Sequence, residues 1–456
     1  MRSRLGRLEK SILDRLVEHG YEAMIVGGAV RDWIIGKPFT DIDIATNAPY
    51  DKLVEIMDGL GELKFAGSLF GVLLVGGVEV ATYRSEVCKD NIVLELDTAP
   101  NAHEDSKRRD FTINSIYYEY KANPIEDRVI DFHNGSGDIR EAVIKAVGNP
   151  YERFNEDYSR ILRAIYLSAT LMFDIDDETG NAIVELGHNI KKVPYALQGK
   201  IVRKAIKDGC FHSFLKLLEE YDLLQYIFPE ITHTVELKQN PEYHCYDVWN
   251  HTLKVVEEAE RNFKGDIAFV MGAFLHDVGK GLEGIRGVNK KGYPSDIGHE
   301  EAGVPIAKKI CKRLELGKDI TNEVAMYVCW HGVRMNTTEK SVKQFLFKLK
   351  NEFRNIDELK IGFFNLLDFM WCDAKGFDKI FCLSIIENLF NIHFVAQDVF
   401  DKQIFYSSQF NFDASVIAKH PNVKQDEIRG WIEFFIRNNI TEEEAVLKIL
   451  NKQGVK

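Results

Sequence analysis

The chain has 456 residues, 45% of them hydrophobic, enough for two to four domains with sizeable cores. Its formal net charge of −12 weighs against a nucleic-acid partner, although the stretches Lys191–Lys207, Lys308–Lys318 and Lys340–Lys360 are locally basic, and distribution matters more than the sum. No run of 18 apolar residues is present, which excludes a membrane partner by this criterion, and seven cysteines without a CxxC spacing fit reduced thiols in a cytoplasmic protein.

The basic first 20 residues lack an uninterrupted apolar core and predict an amphipathic helix in place of a signal peptide. Short β-type runs follow, "AMIVGG", "TDIDIAT", "FGVLLVGG", "VEVATYR", "SIYYEY" and "RVIDFH", separated by Gly and Asn/Asp turns and flanked by helical patterns. From Tyr151 onward strand signals nearly vanish. "EDYSRILRAIYLSATL", "FHSFLKLLEEYDLLQYI" and "EVAMYVCWH" carry apolar residues at helical spacing. Breaks fall at Gly148-Asn149-Pro150 and near Asn240-Pro241. An α/β head therefore precedes an all-helical remainder.

Four strings in the head and the segment after it carry chemistry. "VGGAVRD" follows a strand and opens a helix. Gly27 and Gly28 admit close approach of a ligand, the helix amides attract phosphate, and Arg31 adds a charge-assisted bond. "TDIDIAT" sets Asp41 and Asp43 two apart on a predicted strand, so both carboxylates face one way and Ile42 and Ile44 the other. Two like charges there repel unless a cation such as Mg²⁺ lies between them. "KRRDFTINS" offers Arg108 and Arg109 to triphosphate oxygens, with Asp110 and Asn114 for a ribose. In "NEDYSRILRA", Asp157, Arg160 and Arg163 recur every three residues and share one side of a predicted helix. The Asp157 carboxylate accepts from the exocyclic amino group of cytosine or adenine and rejects the carbonyl of uracil or guanine. Taken singly, each string is matched by a plain alternative: a tight turn, exposed acids, a basic patch, a surface ion pair.

The ordered set "VGGAVRD", "DIDIAT", "RRDFTIN", "DFHNGSGDI" and "RFNEDYSRILRA", over residues 24–164, resembles the class II tRNA nucleotidyltransferase and poly(A) polymerase family. That resemblance implies an α+β fold: a head with a small mixed sheet (1–147), a helical neck (148–238), a further helical domain (239–400) and a helical tail (401–456). It implies phosphate contacts from Gly28, Arg31 and Arg109, metals on Asp41 and Asp43, and base selection by Asp157 and Arg160 with Arg163 assisting. The implied reaction is template-independent addition of C and A to tRNA from CTP and ATP with Mg²⁺. The sequence departs from the family at three places. Tyr166 replaces an arginine. "QGKIVRKA" lacks two neck glutamates. The segment between Tyr83 and Arg108 lacks the Asp-Gly-Arg-Arg-Pro-like loop. Full CCA addition, CC-only or A-only addition and poly(A) synthesis all stay open.

A histidine cluster follows in "YHCYDVWNHTLK", "FLHDVGK", "GHEEAG", "CWHGVR" and "WCDAKG". Neutral imidazoles with carboxylates suit a transition metal or another divalent ion, and the adjacent His276-Asp277 pair on an apolar helix is costly to bury unless coordinated. The pattern His251, His276, Asp277, Asp373 resembles the HD phosphohydrolase superfamily, and His299 and His331 complete its two-metal version. The resemblance implies 2′,3′-cyclic phosphodiesterase or phosphatase activity. A protein led by this hydrolase site, with a head that only binds nucleotide or RNA, is the competing reading. A non-catalytic RNA-binding module is the third, and the paired carboxylates of the head argue against it.

Overall fold

The computed structural model describes residues 1–39, 41–65, 71–89 and 92–453; Thr40, Phe70, Asp90 and Asn91, which fall in strings read above, lie outside the described residues. The chain divides into two compact units, Met1–Pro229 with Arg313–Glu315, and Glu230–Lys312 with Leu316–Lys456.

In the first unit the strands of three or more residues are β1 (Met24–Val26), β2 (Asp43–Thr46), β3 (Leu63–Phe65), β4 (Val72–Val75), β5 (Val78–Thr82), β6 (Arg84–Lys89), β7 (Ile92–Thr98), β8 (Ile116–Glu119) and β9 (Arg128–Asp131). Seven of them form one sheet in the order β3-β4-β5-β2-β1-β8-β9. Only β2 and β5 pair in parallel, so the sheet is mixed, as expected. β1 is apolar and buried along its length, which seats it near the centre of the sheet, between β2 and β8. Met24, Val26, Ala45, Tyr83 and Tyr117 pack on one face of it with Ala99 and Ala102. β6 and β7 form a separate antiparallel ribbon within the segment that departs from the family's loop.

Helices Pro150–Glu156, Ser159–Leu171, Asp177–Leu186, Tyr195–Asp208 and Phe211–Glu220 follow the sheet. In Tyr195–Asp208, a Cβ on Gly199 would stand 1.9 Å from the Leu314 carbonyl oxygen. Only a bare Cα admits that approach. Arg203 secures it, its Nη1 donating to the carbonyls of Leu314 (3.3 Å) and Glu315 (2.9 Å). Residues 313–315 thereby pack with the first unit.

The second unit is helical. Its centre is Ile267–Leu275, "IAFVMGAFL", buried from Ala268 to Leu275 and started by the Asp266 carboxylate, which accepts from the Phe269 amide. Val248–Asn262, Lys318–Trp330 and Ile356–Ala374 surround it. Lys379–Lys402 is long and apolar enough, by length and composition alone, to cross a membrane, although it packs against Ile356–Ala374 and Glu339–Leu349. Glu387, Asn388 and Asn391 break its apolar run, so it holds no unbroken stretch of 18 apolar residues. The last helices, Ser415–Lys419, Ile428–Arg437 and Glu443–Gln453, close on a small core of Ile417, Val423, Phe435, Val446 and Leu450.

Candidate active sites

Gly27 ends β1 at φ +80°, on the positive side that side chains rarely adopt. It opens helix Gly28–Ile35, and a Cβ built on it would lie 3.5 Å from Asp43 Oδ2. The turn thus sets the free amides of a helix N-terminus beside that carboxylate. The hydrogen-bonded strand starts at Asp43, so Asp41 precedes it and is not part of it; this corrects the expected strand bounds. The predicted alternation holds, with Asp41 and Asp43 exposed and Ile42 and Ile44 buried. In the parallel β2–β5 register Asp43 stands opposite Glu79, a strand spacing of about 4.8 Å away. Asp43 opens to solvent on one side and is crowded on the other. That crowding strips its water and pushes its carboxyl up to about 6, with Glu79 and Asp41 adding repulsion and Arg109 and Lys204 opposing. Carboxylates that repel one another in this way form an all-oxygen donor set, which fits Mg²⁺ held together with substrate phosphates.

The arginines are held by an acid that the sequence reading missed. Asp105, on helix Ala102–Lys107, is buried. Its Oδ1 accepts from Arg108 Nη2 at 2.8 Å, and its Oδ2 accepts from Arg109 Nη2 at 2.9 Å and the Tyr117 hydroxyl at 2.8 Å. Arg109 Nε also donates to the Tyr117 oxygen at 2.9 Å. Burial alone would raise Asp105, but Arg109 and Arg108 hold it down at about 2. Arg31 Nη1 donates to Asn114 Oδ1 at 2.7 Å, and its Nε to Asp32 at 2.9 Å. Asn114 therefore positions Arg31. Asp110 accepts from the Phe111 amide at 2.8 Å and pairs with Arg163 at 2.6 Å.

Asp157 needs a correction. It is not on a helix with Arg160: Pro150–Glu156 ends before it, Ser159–Leu171 starts after it, and Asp157 itself is extended at φ −149°, ψ 101°. Its Oδ1 accepts from the Ser159 amide at 2.9 Å. Arg160 is buried, its Nη1 donating to the Arg153 carbonyl (2.9 Å) and Glu156 (2.7 Å) and its Nη2 to the Arg108 carbonyl (2.8 Å). Tyr166, one turn past Arg163, donates its hydroxyl to Asp208.

In the second unit all six expected ligands converge. His276-Asp277 directly follows the buried helix Ile267–Leu275. His251 Nε2 lies 3.2 Å from His276 Nε2 and 3.7 Å from Asp277 Oδ2. Asp373 Oδ1 stands 2.9 Å from His251 and 3.4 Å from His276. The other Asp277 oxygen, Oδ1, faces His299 Nε2 at 3.2 Å and His331 Nε2 at 3.5 Å. One carboxylate thus joins two ligand groups, each compact enough for one ion. The Nδ1 atoms of His276, His299 and His331 lie 2.7–3.0 Å from the carbonyls of Ala273, Asp296 and Val328. That placement fixes the tautomer and turns each bare Nε2 inward, as metal-binding histidines require. Without a cation, buried Asp277 and Asp373 are held well below the carboxylate range chiefly against their burial, by histidine charge; His276, which burial alone would lower, is pushed up to about 10 by Asp277 and Asp373. A positive charge belongs there, and the mixed nitrogen and oxygen donors fit divalent transition metals. The centre opens into a cavity of 730 Å³ that Lys280, Tyr243, His244 and Phe377 also line.

Residues 23–145 match the poly A polymerase head domain, residues 172–234 the probable RNA and SrmB-binding site of polymerase A, and residues 242–360 the HD domain. The chain thus carries, in order, matches to a poly(A) polymerase head, the RNA-binding segment that follows it and an HD domain. Over 237 residues it is 34% identical to Poly(A) polymerase I of Salmonella typhimurium, covering 48% of this chain and 50% of that protein. Over 257 residues it is 31% identical to the CCA-adding enzyme of Staphylococcus saprophyticus, covering 56% and 60%. The chain spans about half the length of the curated relatives it matches. The Thermotoga maritima CCA-adding enzyme complexed with tRNA shares the fold, with a TM-score of 0.56 over 99% of this chain and 96% of its own at 17% identity.

Glu79, Asp105 and Lys204 act on Asp43 and Arg109, yet none of the three carries a role in the strings singled out in the sequence. Glu79 was findable only by pairing "VEVAT" in parallel with "DIAT". Asp105 carried no signal beyond lying three and four residues before two arginines.

Proposed function

We propose that the head extends RNA 3′ ends without a nucleic-acid template, adding C and A to tRNA from CTP and ATP. The observation that carries this reading is the rim formed by Asp41, Asp43 and Glu79 beside the Gly27 turn, with Arg109 anchored nearby. Gly27, Gly28, Arg31 and Arg109 bind the triphosphate, and Asp41 and Asp43, with Glu79 beside them, hold Mg²⁺. An ion held by these carboxylates would supply a lowered pKa for the attacking hydroxyl and charge stabilisation for the leaving oxygen. The 3′-hydroxyl oxygen bonds to the α-phosphorus as the bond to the pyrophosphate oxygen breaks. Asp157 accepts from the amino group of C or A, worth about 1–3 kcal/mol of discrimination against U and G. Asn114 orients Arg31, and Asp110 holds Arg163, in addition to any contact with the ribose. Relatives of both kinds leave poly(A) synthesis as the nearer rival.

Purified protein with Mg²⁺ and labelled tRNAs ending before CCA, after C and after CC tests this. Addition of C, C and A that then stops is the expected result, and long A tails mean a poly(A) polymerase. The Asp43→Ala variant should add nothing while keeping its fold; substantial addition by it would defeat the assignment of the head site.

A second reading, for the second unit, rests on the convergence of His251, His276, Asp277, His299, His331 and Asp373. These residues would hold two divalent ions for hydrolysis of a phosphoester such as a 2′,3′-cyclic phosphate at a damaged RNA end. Release of phosphate or opening of the cyclic ester by metal-loaded protein, abolished in Asp277→Ala, tests it.

A further inference from the structure

Helix Tyr195–Asp208 buries Ile201, Val202, Ala205 and Ile206 and turns Lys200, Lys204 and Lys207 to solvent. Those lysines are four and three residues apart, so they share one exposed face. Lys204 differs from its neighbours in being positioned. Its Nζ stands 5.1 Å over the ring of Tyr166, whose hydroxyl is fixed by Asp208 at the end of the lysine's own helix. Tyr166 lies on Ser159–Leu171, the helix that also carries Arg160 and Arg163. Lys204 also lies close enough to Asp43 for its charge to favour the ionised carboxylate.

A cation held on an aromatic face keeps its charge and its donors while losing side-chain freedom. The triphosphate already has its cations in Arg31 and Arg109. The other polyanion that must reach Asp43 is the RNA strand bearing the attacking hydroxyl. We propose that Lys204 binds a backbone phosphate of the single-stranded RNA 3′ end as it enters the head site, with Lys200 and Lys207 continuing the track. This rests on the proposed nucleotidyl transfer. Tyr166 and Asp208 act as positioning residues by fixing Lys204.

The test uses full-length protein and two RNA hairpins, one with a single-stranded 3′ overhang and one blunt. Binding is followed by fluorescence anisotropy at several KCl concentrations. Lys204→Ala should weaken binding of the overhang hairpin and lower the slope of log affinity against log salt by about 0.7, the share of one single-strand phosphate contact. Lys204→Arg should restore both, and the KM for CTP should not move. Unchanged overhang binding, an equal loss on the blunt hairpin, or a raised CTP KM with intact RNA binding would each overturn the proposal. Wild-type protein that binds the overhang yet adds no nucleotide would instead defeat the nucleotidyltransferase reading and leave the Lys204 contact standing.

Discussion

Replacing Asp105 with asparagine keeps the shape of the side chain and removes the charge that holds Arg108, Arg109 and Tyr117. The folded carboxyl titrates at about 2 against an ordinary 3.8, and at about 1.4 kcal/mol per pH unit that interval is worth about 2.5 kcal/mol. Because the folded pKa is depressed, this stabilisation is fully present above the ordinary value and fades as pH falls through the folded one. Wild type should therefore exceed Asp105→Asn by about 2.4 kcal/mol at pH 5 and by only about 1.3 kcal/mol at pH 3. The side chain is 1% exposed, so solvent screening takes little from the figure. Trp33 is the only tryptophan in residues 1–229, so the ¹⁹F signal of 5-fluorotryptophan at that position reports urea unfolding of the first unit. A gap below about 1 kcal/mol at pH 7, or one that stays constant from pH 5 to pH 3, would refute the role given to Asp105.

Asp277→Asn should lower bound divalent metal from two ions per chain to one or none, since that carboxylate faces both histidine groups; mass spectrometry of metal-reconstituted protein reads it, and an unchanged two ions would mean the groups do not share Asp277. Gly199→Ala reverses the usual helix-interior trend, in which alanine gains about 1 kcal/mol. Overlap with the Leu314 carbonyl should instead cost about 1–3 kcal/mol, and a raised melting temperature would show that residues 313–315 yield freely.

What the sequence made legible was local or ordered along the chain. The alternation of Asp41, Ile42, Asp43 and Ile44 is a property of four consecutive residues, and the structure keeps it. The six histidine and aspartate residues expected as ligands stood out by their order, and the fold brings their Nε2 and carboxylate atoms together. Glu79 was hidden because its meaning lies in a parallel pairing with residues 36 positions earlier. Asp105 read as one more surface acid, since Tyr117 and the Arg84 amide approach it only in the fold. "NEDYSRILRA" misled in a different way. Its apolar period runs without a break through a point where the backbone leaves the helix, and residue spacing does not register an extended residue between two helices.

That break acquires a reason from the arginines on either side of it. Arg153 Nη1 donates to the Lys107 carbonyl at 2.8 Å, Arg160 Nη2 to the Arg108 carbonyl at 2.8 Å, and Arg163 pairs with Asp110. Three side chains from residues 153–163 thus reach the short run 107–110 that contains Arg109. Residues 107–110 and the two helices are tied at Lys107, Arg108 and Asp110, with the extended Asp157 lying between two of the ties. A continuous helix would carry Asp157 on rotamers of its own. Here its backbone is fixed at both ends, and its carboxylate is fixed by the Ser159 amide. The group proposed to read the base is therefore set in place relative to Arg109 before any nucleotide arrives. Such preorganisation spares the site reorganisation at the moment of reaction, which is where electrostatic catalysis has most to gain.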